Sequence, residues 1–240
     1  MRVWMVALAL TTLACGGQEA MSQDAASAEK VAEQAVAAIL AGDKETQAPA
    51  VCDMLRSGIV SDVFGVDDSL VTYRPGAKFI PHPLCTARWD YPNKAELEAA
   101  CKEEMTAHTQ RRVAAVLARE DFDEEMPGCI YLDHATEVSL TITNMSFDSD
   151  AAAVESLESS VAQLEKGLTI TVQGKERTTQ VDFDDWMDGV GDKAAWAPKH
   201  SELSVAADGV RFAVAVRGTG DKSTNQELAI EVARRVEDRL

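Results

Sequence analysis

Aromatic residues and positive charge are both scarce in this chain. Phe, Trp and Tyr make up 5% of the 240 residues, so a core must be built mainly of Ala, Val, Leu and Ile. There are 40 Asp and Glu against 23 Lys and Arg, which gives a formal net charge of −17. Nucleic acid and anionic membrane surfaces would repel such a chain, so we expect no nucleic-acid partner. The apolar fraction of 46% is typical of a globular protein.

Several short motifs of common catalytic classes are also missing. The sequence contains no Gly-x-Ser-x-Gly, no His-Glu-x-x-His and no Gly-x-x-x-x-Gly-Lys-Ser/Thr. Cys-x-x-Cys is absent as well, which argues against a thioredoxin-like site and a c-type haem. A single His without an orienting partner is a weak candidate base. We therefore predict no catalytic residue and no cofactor, although four scattered histidines are present: His82, His108, His134 and His200.

The N-terminus is typical of an exported protein. Residues 3–13 form an apolar or small-residue run that is too short to span a bilayer. Ala14 directly before Cys15 resembles the bacterial lipobox, in which the thiol is acylated and the chain is cleaved before it. We expect a signal peptide over residues 1–14 and a lipidated, flexible tether over 15–27. The alternative is an ordinary secretory peptide with an incidental Cys15.

The predicted lipid anchor also implies where in the cell the protein lies. Acyl chains on Cys15, palmitate among them, would hold the protein to a membrane without a transmembrane helix. Gly16 follows Cys15, where an inner-membrane retention signal would have Asp. We therefore expect a lipid-anchored, extracytoplasmic protein of the cell envelope, on the outer membrane or the cell surface.

The remaining four cysteines predict disulfides. An even number in an exported chain favours two bridges, and four cysteines allow three connectivities. The preferred pairing is Cys52–Cys85 with Cys101–Cys129, which closes two consecutive loops of similar size. Each would contribute about 3 kcal/mol in the chain-entropy model. The alternative is a metal site that combines cysteines with His82 or His134.

Hydrophobic periodicity predicts an α+β domain over residues 28–240, with an antiparallel sheet packed by helices. Alternation over 138–142 and 168–172 indicates strands, and Asp208-Gly209 indicates a hairpin turn between two further strands. Residues 79–91 contain prolines and are expected to form an edge strand. The expected helices span about 27–42, 50–55, 57–64, 94–119 and 149–166, with a last one that buries Leu228, Val232, Val236 and Leu240.

The helix over 94–119 is the longest one expected. Asn93 is its expected N-cap, with Glu96 as the partner residue. Its predicted apolar face, on which Cys101 points inward, comprises Leu97, Cys101, Met105, Val113, Val116 and Leu117.

Acidic residues cluster in two places, at 121–125 and at 182–192. Clustered carboxylates can bind Ca²⁺, but Trp186 stands where an EF-hand needs an oxygen ligand. A solvated acidic surface is therefore expected, and no metal site is predicted.

Two segments together resemble a family of actinobacterial cell-envelope lipoproteins of unknown function, which are related to extracellular sensor domains of receptor Ser/Thr kinases. The first is Val51-Cys52-Asp-Met-Leu55 with Ile59–Gly65 and Cys85-Thr-Ala-Arg-Trp89. The second runs from Gly189 to Trp196 before a strand hairpin and a terminal helix. The resemblance implies a Cys52–Cys85 disulfide and an α+β sheet with a cleft. It also implies that residues 92–135 are an insertion.

The family's turn motif is matched by Gly189, Gly191, Asp192, Ala194 and Trp196. The residues explain such a turn independently, because glycines can adopt positive φ and Asp192 can bond back to turn N–H groups. Trp196 would then pack on the sheet. A structural corner is expected here, with a ligand-binding loop as the alternative.

These observations favour a non-catalytic envelope lipoprotein, a binding or sensing module for a small molecule, a lipid or a protein. The alternative is an extracytoplasmic hydrolase of an unrecognised type. It would require His134, Asp133 and the acidic residues of 182–192 to converge in a pocket.

Overall fold

A computed structural model describes residues 30–39, 44–77, 82–127, 129, 134–144, 147–172, 175–218 and 222–240. The predicted signal peptide (1–14), Cys15 and the tether (15–27) lie outside the described residues. The helices are α1 (30–39), α2 (Lys44–Met54), α3 (Val60–Phe64), α4 (Lys94–Ala118), α5 (Asp150–Lys166) and α6 (Lys222–Glu237). The strands are β1 (Thr72–Pro75), β2 (Leu84–Asp90), β3 (Ala135–Asn144), β4 (Leu168–Val172), β5 (Lys175–Thr179), β6 (Lys193–Ala197), β7 (Glu202–Ala207) and β8 (Val210–Arg217).

Six strands form one antiparallel sheet in the order β1-β2-β3-β8-β7-β6. Strands β4 and β5 form a separate two-stranded ribbon. The prediction of an α+β domain with an antiparallel sheet packed by helices is therefore confirmed. Both disulfides of the preferred pairing are present, Cys52–Cys85 and Cys101–Cys129.

Local signals explain where several elements begin and end. The Ser149 hydroxyl accepts the N–H of Ala152 and caps α5, and Gly167 ends that helix. Asp208 and Gly209 both have positive φ, 50° and 68°, as the tight turn between β7 and β8 requires.

The main core lies on the sheet face that α2, α3 and α6 cover. Alternate residues of β3 and β8 point into it, while Ser139 and Thr141 point to the other face. Trp196 of β6 is only 1% exposed, and Val232 and Val236 of α6 are completely buried. The Cys52–Cys85 disulfide ties α2 to β2 inside this core, with 5.0 Å between the two Cα atoms.

A smaller core lies on the opposite face, beneath α5. Leu157 and Val161 of α5 pack against Ala195 of β6 and Ala206 of β7. The Arg211 guanidinium of β8 donates to the carbonyl and the hydroxyl of Ser156 on this helix. Helix α5 therefore fixes the β6-β7-β8 half of the sheet.

One expectation for residues 79–119 was wrong, and another was confirmed only in part. Strand β2 is not at an edge, because it pairs with β1 on one side and with β3 on the other. Pro83 precedes the strand and so removes no hydrogen bond from its ladder. Asn93 is the N-cap residue of α4, as predicted, but its side chain makes no cap bond. Its backbone carbonyl instead accepts the N–H groups of Glu96 and Leu97.

The predicted apolar face of α4 is buried only in part. Leu97, Cys101 and Met105 in its first half are half-buried, whereas Val113, Val116 and Leu117 are 53%, 66% and 80% exposed. The apolar periodicity extends along the whole helix. The contacts that bury its side chains, however, lie only along its first half and at the buried His108.

Candidate ligand-binding cleft

Helix α4 places a row of charged and sulfur-containing side chains on one face. Residues three and four apart in a helix lie above one another, so 94, 98, 101, 102 and 105 share a side. This side faces Cys129 and the start of β3, and the two surfaces enclose a cleft of about 270 Å³. We call it the α4 cleft, and it is lined by Lys94, Glu98, Cys101, Lys102, Met105, Cys129 and His134.

The Cys101–Cys129 disulfide closes one wall of the α4 cleft. It joins the second turn of α4 to the segment that leads into β3, with 5.6 Å between the Cα atoms. Both cysteines are half-buried, in contrast to the buried Cys52 and Cys85. One disulfide therefore belongs to the core and the other to a surface cleft.

Beside the cleft, the residue after β2 is joined to the residue before β3. The Tyr91 N–H donates to the His134 carbonyl at 2.9 Å, and the two rings lie 6.5 Å apart. Partial burial raises the pKa of the Tyr91 hydroxyl. Lys94 contacts Asp90 at 2.9 Å and Glu98 at 3.8 Å, so its ammonium is held near the cleft by carboxylates on both sides.

A second set of contacts ties α4 to the acidic segment after it. The buried His108 ring lies 3.3 Å from the Glu124 carbonyl through Nε2 and packs edge-on against Phe122, with 5.2 Å between ring centroids. Arg111 Nε donates to the Glu124 carboxylate at 2.8 Å, and Nη2 bonds its other oxygen. These hydrogen bonds lower the pKa of Glu124 and raise that of Arg111.

The glycine turn lies at the opposite end of the sheet. Gly189 and Gly191 both have positive φ, 76° and 56°, and the Trp196 side chain lies in the main core. Asp192 donates its backbone N–H to Ala206 at 2.8 Å, and its carboxylate is exposed. The prediction that the Asp192 side chain bonds the turn is therefore wrong. The side chain in that role is Glu237, which accepts the Gly191 N–H at 3.0 Å.

The acidic residues of 182–192 do not meet His134. The backbone of Asp184 and Met187 bonds to β6, whereas His134 precedes β3. β8 and β7 lie between those strands, a separation of about 14 Å at ordinary strand spacing. Asp133 lies outside the described residues.

The individual carboxylates near the two clusters have local roles. Asp182 pairs with Lys199 and Glu124 with Arg111, while Asp184, Asp185, Asp188 and Asp192 are exposed. Within the described ranges, no group of three or more His, Cys, Asp and Glu could hold a metal ion.

Sequence reasoning missed the two lysines of the α4 cleft. Lys94 and Lys102 are ordinary residues of an amphipathic helix, and only the disulfide shows which face they share. Their spacing from Cys101 was the available signal, because positions 94, 98, 101 and 105 repeat at helical intervals.

No family model, curated protein or solved structure matched the chain. The resemblance to actinobacterial envelope lipoproteins therefore stays a prediction. Among the helices that the structure describes, none is long and apolar enough to cross a membrane. The two disulfides indicate an oxidising, extracytoplasmic location.

Proposed function

We propose that this protein is a non-catalytic, lipid-anchored protein of the bacterial cell envelope that binds a small anionic ligand in the α4 cleft. The observation that carries the binding proposal is the gathering of Lys94, Lys102 and His134 around one depression. The chain as a whole has a net charge of −17, so most of its surface repels anions. Because Lys94 is already paired with Asp90 and Glu98, the ammonium of Lys102 is the charge that would attract an anion to this cleft.

The size of the α4 cleft favours a small ligand. Its volume of about 270 Å³ lies just below the range of about 300 to 1,000 Å³ that is usual for drug-sized ligands. Met105 and the disulfide supply apolar surface beside the two lysines. Glu98 lies on the same wall, and it would discriminate against ligands whose negative charge reaches that end.

Among the described residues, the hydrolase alternative is disfavoured by the distance between His134 and the acidic residues of 182–192. His134 lies at the α4 cleft, beside the start of β3. The acidic residues of 182–192 lie along β6, three strand positions away from β3 in the same sheet. A general base must be within hydrogen-bond reach of its partner, directly or through one water. The separation of about 14 Å at ordinary strand spacing therefore favours the binding proposal.

The lipid anchor is tested by mass and by location. We expect the protein purified from membranes to begin at Cys15 and to carry acyl chains, and Cys15→Ser to abolish both the processing and the acyl mass. A mature protein that lacks acyl chains would refute the anchor. It would leave the binding proposal open, because the cleft lies in the folded domain.

Ligand binding is tested with inorganic phosphate and citrate as probes. We expect saturable amide chemical-shift changes around residues 94–105 and 134–136 in an NMR titration. Lys102→Gln should weaken this binding about threefold to tenfold, the loss of one charge-assisted contact. Lys199→Gln is the matched control, since it removes the same charge at an exposed site that pairs with Asp182. Equal weakening in both variants, or shifts spread over the surface, would overturn the proposal.

A further inference from the structure

The two disulfides differ in their access to solvent and not in the loops they close. Cys52 is 3% exposed and Cys85 is completely buried in the main core. Cys101 and Cys129 are half-buried and line the α4 cleft. The sequence separations are 33 and 28 residues, so in the chain-entropy model the two bonds stabilise the fold almost equally. Solvent access to the sulfur atoms is therefore the feature that would make the two disulfides differ in reactivity.

The surroundings of the half-buried Cys101–Cys129 bond suit attack by a thiolate. Thiol–disulfide exchange requires an anionic sulfur to approach the bond and a second anionic sulfur to leave it. Lys94 and Lys102 line the cleft into which the bond faces, and Lys94 is also paired with Asp90 and Glu98. Nearby cations favour thiolates, both the attacking one and the departing one. The Cys52–Cys85 bond is buried in the main core, which leaves a thiolate no approach route.

The Cys101–Cys129 bond also attaches a part of the fold that contributes nothing to the main core. Within the described residues, the main core consists of side chains from α1 to α3, from the six-stranded sheet, from α6 and from the segments between them, and α4 contributes none. The segment after α4 keeps other contacts to the helix, through His108 and Arg111 with Glu124. Cleavage of Cys101–Cys129 would therefore release one wall of the α4 cleft while the sheet stays folded.

We propose that Cys101–Cys129 is a site of reversible thiol–disulfide exchange, reduced by a protein dithiol of the Cys-x-x-Cys class, whereas Cys52–Cys85 is structural. One thiolate of the dithiol attacks a sulfur of the bond, forms a mixed disulfide and releases the other sulfur as a thiolate. The second cysteine of the dithiol then displaces the first sulfur. Two electrons and two protons pass to the protein, which gains two thiols, and the reductant becomes a disulfide. This inference needs neither the anchor nor a ligand in the cleft.

The experiment measures reduction of each bond in the folded protein. The Cys15→Ser chain is incubated with dithiothreitol, alkylated at intervals and analysed by peptide mass spectrometry. We expect Cys101–Cys129 to be reduced at least tenfold faster than Cys52–Cys85, and the rates to converge in denaturant. Equal native rates, or faster reduction of Cys52–Cys85, would overturn the proposal.

A trapping experiment tests the class of reductant. A thioredoxin whose second active-site cysteine is replaced by Ser should form a mixed disulfide with Cys101 or Cys129. Trapping on Cys52 or Cys85, or trapping only after denaturation, would refute the assignment. The Cys101→Ala/Cys129→Ala variant should retain the near-UV circular dichroism of the core. Its global unfolding would contradict a reversible site. Phosphate titration of the oxidised protein is a separate measurement, so either proposal can fail alone.

Discussion

The Glu237 carboxylate near the end of α6 accepts the backbone N–H of Gly191 at 3.0 Å, across 46 residues of sequence. On the same helix, Arg234 Nε donates to the Gly189 carbonyl at 3.3 Å. Helix α6 thus binds the glycine turn through one acceptor and one donor. The glycine turn then positions β6, whose Trp196 lies in the main core.

Removal of the Glu237 carboxylate should destabilise the domain. Glu237→Ala leaves the Gly191 N–H without its acceptor, and we expect a loss of about 1 to 2 kcal/mol in the free energy of unfolding by urea. Glu237→Gln should retain most of the stability, since an amide oxygen can still accept. Glu227→Ala is the control, because Glu227 is exposed on the same helix. Equal effects of Glu237→Ala and Glu227→Ala would show that the contact contributes nothing.

The two glycines of the turn should respond differently to alanine. Both have positive φ, so Ala at either position is strained by about 1 to 2 kcal/mol. A Cβ at Gly189 would meet nothing within 4 Å, whereas a Cβ at Gly191 would lie 2.6 Å from the Ala206 carbonyl oxygen. We therefore expect Gly191→Ala to cost at least about 2 kcal/mol more than Gly189→Ala in urea unfolding. Similar losses in both variants would contradict the close approach of β7.

Much of the fold was predictable because its signals are local. Ser149, Gly167 and the Asp208-Gly209 pair specify caps and turns through their own backbone preferences, and the structure has each of them in that role. The edge assignment of residues 79–91 failed because strand order is set by long-range pairing. Nothing in that segment indicates that β3 will lie beside it.

The candidate site was less predictable for the same reason. Pairing of Cys101 with Cys129 could be proposed from loop size, and the structure contains that bond. The cleft beside it depends on which face of α4 meets β3, which periodicity alone misjudged for Val116 and Leu117. Likewise, the acceptor for the Gly191 N–H lies on α6, far beyond the reach of any local turn motif.

The uneven packing of the helices gives a contrast between two leucines. Leu157 of α5 is buried against the sheet, and Leu157→Ala should reduce the free energy of unfolding by about 2 to 4 kcal/mol. Leu117 of α4 is 80% exposed, and Leu117→Ala should change it by less than about 0.5 kcal/mol. Thermal or urea unfolding of both variants checks this. A large loss in Leu117→Ala would mean that the end of α4 is packed in solution.

The Arg111–Glu124 pair should make the segment after α4 sensitive to acid. Hydrogen bonds from the guanidinium lower the pKa of Glu124 below its ordinary value of 4.5. A carboxylate with a lowered pKa contributes its stabilisation fully above the ordinary value and loses it as the pH falls through the folded value. The contact should therefore be intact at neutral pH and be lost in acid below pH 4.5.

An NMR titration of the Glu124 carboxyl carbon measures this pKa directly. We expect a midpoint below 4.5 in the native protein and an upward shift in Arg111→Gln, which removes the hydrogen bonds. Arg112→Gln is the matched control, since it removes the same charge from the neighbouring exposed position. A native midpoint at or above 4.5, or equal shifts in the two variants, would show that Glu124 is not held by Arg111 in solution. The acidic segment would then depend on His108 and the Cys101–Cys129 disulfide for its attachment to α4.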